Sequence, residues 1–137
     1  MTDIRRATSR DVEAVLAFWK DAATVGSSTD DGVGIEQLLS HESATLLIAV
    51  DDDEIAGSVI AAFDGWRGSL YRLAVREDRR RRGIGRRLVE HGEETLRVQG
   101  ARRLHLIVQH DEDAANEFWT ALGYDATDQL RYVKTVG

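Results

Sequence analysis

The 137-residue chain has no cysteine, no proline and a single methionine. Without cysteine there is no disulfide, no thiolate metal site and no cysteine nucleophile. Without proline, slow prolyl isomerisation is excluded as a folding phase. No run approaches 18 consecutive apolar residues, so no membrane-spanning helix is expected. The opening Met1-Thr2-Asp3-Ile4-Arg5-Arg6 lacks the apolar core of a signal peptide. His41, His91 and His105 have no ligand-like spacing, so no metal is expected. Together these absences predict a soluble, cytoplasmic protein without metal or membrane contact.

What is present fits one compact domain over residues 1–137, with 42 % hydrophobic and 31 % charged residues. The net charge of −6 is unevenly spread. Residues 1–64 carry 13 acids and 4 bases, residues 67–103 carry 12 bases and 5 acids, and residues 104–137 carry 6 acids and 2 bases. A basic centre in an acidic chain suggests one anionic ligand held at one place. A nucleic-acid binder is more often basic throughout, so no nucleic-acid partner is expected.

Periodicity gives the elements. Ile4–Ala7 reads as a short strand. Thr8 opens a helix with Asp11 in an approximate capping box, and Val12, Val15, Leu16 and Trp19 form its apolar face. Residues 26–34 read as a loop, and Ile35, Leu38 and Leu39 as a short helix. Thr45–Val50, Ile55–Phe63 and Leu70–Val75 read as an antiparallel meander with turns at Asp51–Asp53 and Asp64–Gly68. Gly57 marks a bulge or a close approach. A helix is predicted from Gly83 to Val98 with Gly100 as its stop, then a strand at Leu104–Val108 and a helix at Ala114–Leu122 ended by Gly123. Tyr124–Thr127 and Leu130–Val136 read as closing strands. The order β-α-α-β-β-β-α-β-α-β-β predicts an α/β (α+β) fold with a mixed, mostly antiparallel sheet.

The informative segment is Arg80-Arg81-Arg82-Gly83-Ile84-Gly85-Arg86, where a strand has ended and two glycines open a helix. A helix N-terminus offers unpaired N–H groups and the positive end of a dipole, and so holds anions. Gly83 and Gly85 leave room for a phosphate to approach the backbone, and the arginines add charge-assisted contacts. The dinucleotide fingerprint fails, because Leu88 stands where its third glycine belongs. No Gly-Lys-Ser/Thr follows, so the nucleoside-triphosphate loop fails as well.

That segment resembles the Arg/Gln-x-x-Gly-x-Gly/Ala motif of the GNAT superfamily of acyl-CoA-dependent N-acyltransferases. The likeness extends along the chain through Ile4–Thr8 with Asp11, through Glu54–Gly57, and through Phe118–Tyr124. Asp64–Gly68 is similar to bacterial members of the ribosomal-protein alanine acetyltransferase type. The resemblance implies acetyl-CoA as co-substrate and an amine as acceptor, in a monomer or homodimer. It puts the pyrophosphate on the backbone of Arg81–Arg86 and the pantetheine arm along Leu73, Ala74 and Val75, like an added strand. A bulge in that strand would splay it from the strand at Leu104–Val108, and the acetyl group would lie in the cleft. With no cysteine, the acyl group would pass directly to the amine.

An alkylamine must lose a proton before it attacks, the oxyanion needs a donor, and the leaving thiolate is usually protonated. The family's tyrosine acid falls at Trp119, whose indole donates a hydrogen bond but does not give up its proton. The family's asparagine falls at Glu112, and its base positions at Ser69 and Ile107. Tyr71, on the strand parity of Ser69, and Glu112 are the catalytic candidates, with His110 beside them. Tyr71 also reads as an ordinary strand aromatic, and His110 and Glu112 as solvated loop residues. The missing base leaves a second reading open, a non-catalytic acyl-CoA-binding module. Asp30, Asp31 and Glu36 lean towards a cationic acceptor.

Overall fold

The structure is a computed structural model that describes residues 2–22, 30–108 and 113–136. The chain divides into two compact units, residues 1–106 and 107–137.

The first unit holds the sheet. Its strands are β1 (Asp3–Arg6), β2 (Ala44–Asp51), β3 (Glu54–Phe63), β4 (Gly68–Val75) and β5 (Leu104–His105). They lie side by side in chain order, antiparallel except for the β4–β5 pair, which is parallel. Two helices, α1 (Val12–Asp21) and α2 (Gly32–Leu39), cover one face. Val12, Val15, Phe18 and Trp19 of α1 and Ile35 of α2 share a core with Leu46, Ile48, Ile60 and Ala74 from the strands. The helix α3 (Ile84–Gln99) covers the other face. Its buried stripe is Ile84, Leu88, Val89, Gly92 and Leu96, on the helical period.

Local chemistry explains the boundaries. A single 3-10 turn, Ser9–Asp11, leads into α1. The Asp11 carboxylate accepts from the Thr8 N–H at 2.8 Å and is clamped by two Arg5 nitrogens at 2.9 Å each. Asp31 caps α2 by accepting from Gly34 N–H at 2.7 Å, so Gly32 and Gly34, expected in a loop, lie inside the helix. Asp52 and Asp53 both have positive φ (51° and 63°), the pair that a tight two-residue hairpin turn demands. Gly57 is a close approach: a Cβ there would stand 2.8 Å from Leu88 Cδ1 and 3.0 Å from the Ala74 carbonyl oxygen. It brings β3 and α3 together.

Asp11 yields a pH prediction. The Arg5 hydrogen bonds, opposed by burial and helped by the Thr8 N–H, lower its carboxyl to about 2. That is below the ordinary value of about 3.9. A depressed folded-state value means that the carboxylate's contribution is complete above the unfolded value and is lost as pH falls towards 2. Asp11→Asn is therefore expected to be less stable than wild type at pH 6. In urea titrations that gap should narrow as pH drops below about 4.

Two strand expectations are corrected as well. The strand expected at Leu104–Val108 is only Leu104–His105. Strand geometry needs a partner ladder, and β4 gives β5 only two register positions, Gly68↔Leu104 and Ser69↔His105. Residues 124–136, expected as a closing strand pair, carry no strand. Leu130, Tyr132, Val133 and Val136 are all exposed. Strand geometry needs a partner, and no described residue offers these positions a ladder. The second unit's regular element is α4 (Asp113–Ala121), followed by Gly123 at φ 92°.

Candidate functional site

β4 is the element on which the site is built. Ser58 of β3 pairs with Ala74, and Ile60 pairs with Tyr71, so Arg72 and Leu73 together oppose Val59. This is the bulge that the family resemblance implies. Arg72 has φ 56°, a left-handed conformation unusual for a residue with a Cβ, so its surroundings must hold it. The Ser58 hydroxyl donates to the Arg72 carbonyl at 2.8 Å and accepts from the Trp19 indole N–H at 2.9 Å. The Arg72 guanidinium is paired with Asp30 (2.5 and 2.6 Å) and lies 5.1 Å from the centre of the Trp19 ring. Nothing in the sequence separates these residues from ordinary strand and helix positions, and sequence reading missed them as a group.

Beyond Ser69, no described residue pairs with the outer edge of β4. Leu73, Ala74 and Val75 therefore present an edge unpaired among the described residues, the arrangement that an extended ligand can use. One acceptor is already engaged, since Arg80 Nε donates to the Val75 carbonyl at 3.2 Å.

The chain then passes through a 3-10 turn, Glu77–Arg79, to Gly83. Gly83 caps α3 at φ 79°, and the first intrahelical bond is Arg87 N–H to the Gly83 carbonyl at 3.0 Å. The N–H groups of Ile84, Gly85 and Arg86 precede that bond. No side chain among the described residues caps them, and the first turn holds no acid. A Cβ at Gly83 would meet no described atom within 4 Å, so there is room beside the start of the helix. These features make an anion site from backbone donors and a helix dipole.

The arginines divide by their partners. Arg79 is tied to Asp51 at 2.9 Å and Asp78 at 3.1 Å, so it braces the loop. Arg86 pairs with Glu90 at 3.2 Å. Arg81, with φ 67°, and Arg82 are exposed and make no ion pair among the described residues. Neutralising Arg81 or Arg82 should therefore weaken anion binding by about tenfold, roughly the value of one charge-assisted contact. Neutralising Arg97, which is paired with Glu94 at the far end of α3, should leave it unchanged. Calorimetry at two salt concentrations checks both, since the contacts at Arg81 and Arg82 are the ones salt screens.

A separate cavity of about 840 Å³ opens between α1 and the β2–β3 turn, beside Arg80. Asp11, Asp21, Asp53, Glu54, Glu77 and Asp78 line it together with Arg5, Arg76 and Arg80, an excess of acid over base that suits a phosphate less well than the start of α3 does. Tyr71 is 46 % exposed, yet burial of its phenol pushes the pKa above the ordinary value of 10.0. At neutral pH it is a proton donor. Trp119, in the second unit, stands edge-to-face with Phe118 (5.2 Å) and Tyr124 (5.1 Å). His110 and Glu112 lie outside the described residues.

A model of the acetyltransferase (GNAT) family matches residues 12–124. This chain belongs to the GNAT acetyltransferase family. An acetyltransferase of Pectobacterium atrosepticum is 36 % identical over 126 residues, covering 92 % of this chain and 89 % of that one. Among solved structures, the aminoglycoside N-acetyltransferase AAC(6')-Iy in complex with CoA aligns with a TM-score of 0.84 at 17 % identity, over 98 % and 95 % of the two chains. A ribosomal-protein-alanine N-acetyltransferase from Brucella melitensis aligns with a TM-score of 0.70 at 19 % identity, over the whole of both. At these identities the structures establish the GNAT fold, a mostly antiparallel sheet flanked by helices. No helix among the described residues is long and apolar enough to cross a membrane. No cluster of three or more His, Asp or Glu that could hold a metal occurs among them either.

Proposed function

We propose that this protein is an N-acetyltransferase. It would move the acetyl group of acetyl-CoA to a primary amine, of a small molecule or a protein N-terminus, by direct attack in a ternary complex. The observation that carries this reading is the succession of a bulged strand with an open edge and an uncapped, acid-free helix N-terminus at Gly83. The pyrophosphate then rests on the N–H groups of Arg81–Arg86, with Arg80, Arg81 and Arg82 around it. The pantetheine amides pair with the edge at Leu73–Val75, where the Val75 carbonyl is shared with Arg80. The AAC(6')-Iy structure with CoA supports the same ligand for this fold.

Roles follow from the chemistry of each group. Tyr71, kept protonated, protonates the departing sulfur. A backbone N–H at the splayed edge of β4 steadies the oxyanion. Trp119 is assigned packing, because an indole N–H does not ionise. Glu112 is retained as a group that could pass a proton through water.

Titration with CoA and thiol release from acetyl-CoA over a panel of amines test the reading. Binding with turnover on at least one amine is the expected result. Turnover with no amine would leave a coenzyme-binding module. Direct attack also predicts that acetyl-CoA alone leaves the protein mass unchanged. A bound acetyl group that chases into product would overturn the direct route.

A further inference from the structure

Ser69 Oγ and His105 Nε2 lie 3.0 Å apart, across the last register pair that joins β4 to β5. Ser69 also opposes Ala62 on β3, and two residues on Tyr71 opposes Ile60. Ile60 belongs to the core beneath α1 and α2, which fixes the face that Ser69, Tyr71 and His105 share. Ser69 is half-buried, whereas Tyr71 and His105 are exposed. The hydroxyl–imidazole pair therefore stands where the two strands stop pairing, one same-face step before the bulge.

Among the described residues of β4 and β5, the ionisable side chains on this face are Tyr71, Arg72 and His105. Arg72 is held by Asp30. Tyr71 keeps its proton at neutral pH. The imidazole, 3.0 Å from the Ser69 hydroxyl, is left as the group able to accept one. The hairpin before β4 contributes Asp64 to its electrostatic surroundings. That carboxyl is lowered first by the N–H groups of Arg67 and Trp66 and further by His105. Arg67 is stacked on Trp66 at 4.2 Å.

We propose that Ser69 and His105 form the proton relay that deprotonates the acceptor amine, a role that rests on the acetyl-transfer reading above. The acceptor ammonium gives a proton to Ser69 Oγ as the hydroxyl proton passes to His105 Nε2. The freed lone pair forms the C–N bond to the thioester carbon, and the C–S bond breaks. Tyr71 protonates the departing sulfur and recovers the proton shed by the new amide nitrogen. The imidazolium returns its proton to solvent, so one proton is released overall for each ammonium acetylated.

The test compares wild type with His105→Gln, Ser69→Ala and Ser69→Thr. His105→Gln and Ser69→Ala should lower kcat/KM for an alkylamine by about 10²-fold, the lower end for a positioned base. Ser69→Thr, which keeps the hydroxyl, should retain most of it. CoA affinity should be unchanged in all three. In wild type, kcat/KM should rise with pH through an ionisation, and His105→Gln should lack that limb. The loss in His105→Gln should shrink for a weakly basic acceptor that is already neutral, such as an alkoxyamine. Equal losses on both acceptor types, or an unaltered pH limb, would overturn the relay while leaving acetyl transfer intact. A wild type that binds CoA but turns over no amine would overturn both.

Discussion

Gly83→Asp will bind coenzyme A at least about 100-fold more weakly than wild type, and Gly83→Asn will fall between them. The reasoning starts from φ 79° at Gly83 and from the empty space where a Cβ would project. Aspartate and asparagine are the side chains that best tolerate a left-handed backbone, and they are nearly isosteric. Their folding costs should match, so the difference between them isolates charge. A carboxylate set before the free N–H groups of α3 competes for them and repels a pyrophosphate, and like-charge juxtaposition costs several kcal/mol. Circular dichroism should show both variants folded. Equal affinities for the two in calorimetry would mean that the phosphates lie elsewhere.

Ser58→Ala should cost both stability and catalysis. Ser58 is fully buried (0 % exposed) between the Trp19 indole and the Arg72 carbonyl. Removing the hydroxyl deletes the acceptor of one and a donor to the other, in a place water does not reach. Each such loss costs about 1–3 kcal/mol, which urea denaturation will read as a lower midpoint. The same hydroxyl holds the bulge residue in its left-handed conformation, so kcat/KM for amine acetylation should fall by about tenfold or more even where the variant is fully folded. A fall in stability with unchanged kcat/KM would show that the bulge keeps its geometry without Ser58.

Much of this architecture is legible in the sequence, and the reasons are local. Gly83, Gly100 and Gly123 mark helix ends because each takes a positive φ there. The Asp51–Asp53 turn and the apolar runs of β2 and β3 follow from residue chemistry alone. The anion loop is readable because arginines and glycines fall where a strand has ended and a helix begins.

Other features need the third dimension. Leu70-Tyr71-Arg72-Leu73 contains no glycine and reads as uninterrupted strand. The bulge at Arg72 is imposed by Ser58, Trp19 and Asp30, which lie far away in the chain. Ser69 and His105 are 36 residues apart, and only the parallel register brings them together. The residues of Leu130–Val136 describe a surface that could pair as a strand and are silent on whether a partner is there.

The bulge has a consequence outside catalysis. An open strand edge invites edge-to-edge pairing between molecules, the first step of ordered aggregation. In β4 the left-handed residue at Arg72 breaks the flat run of donors and acceptors after Tyr71. Only a short stretch is left to offer a stranger. A coenzyme arm laid along that stretch would occupy it, so the bound state would also be the one least able to recruit another chain.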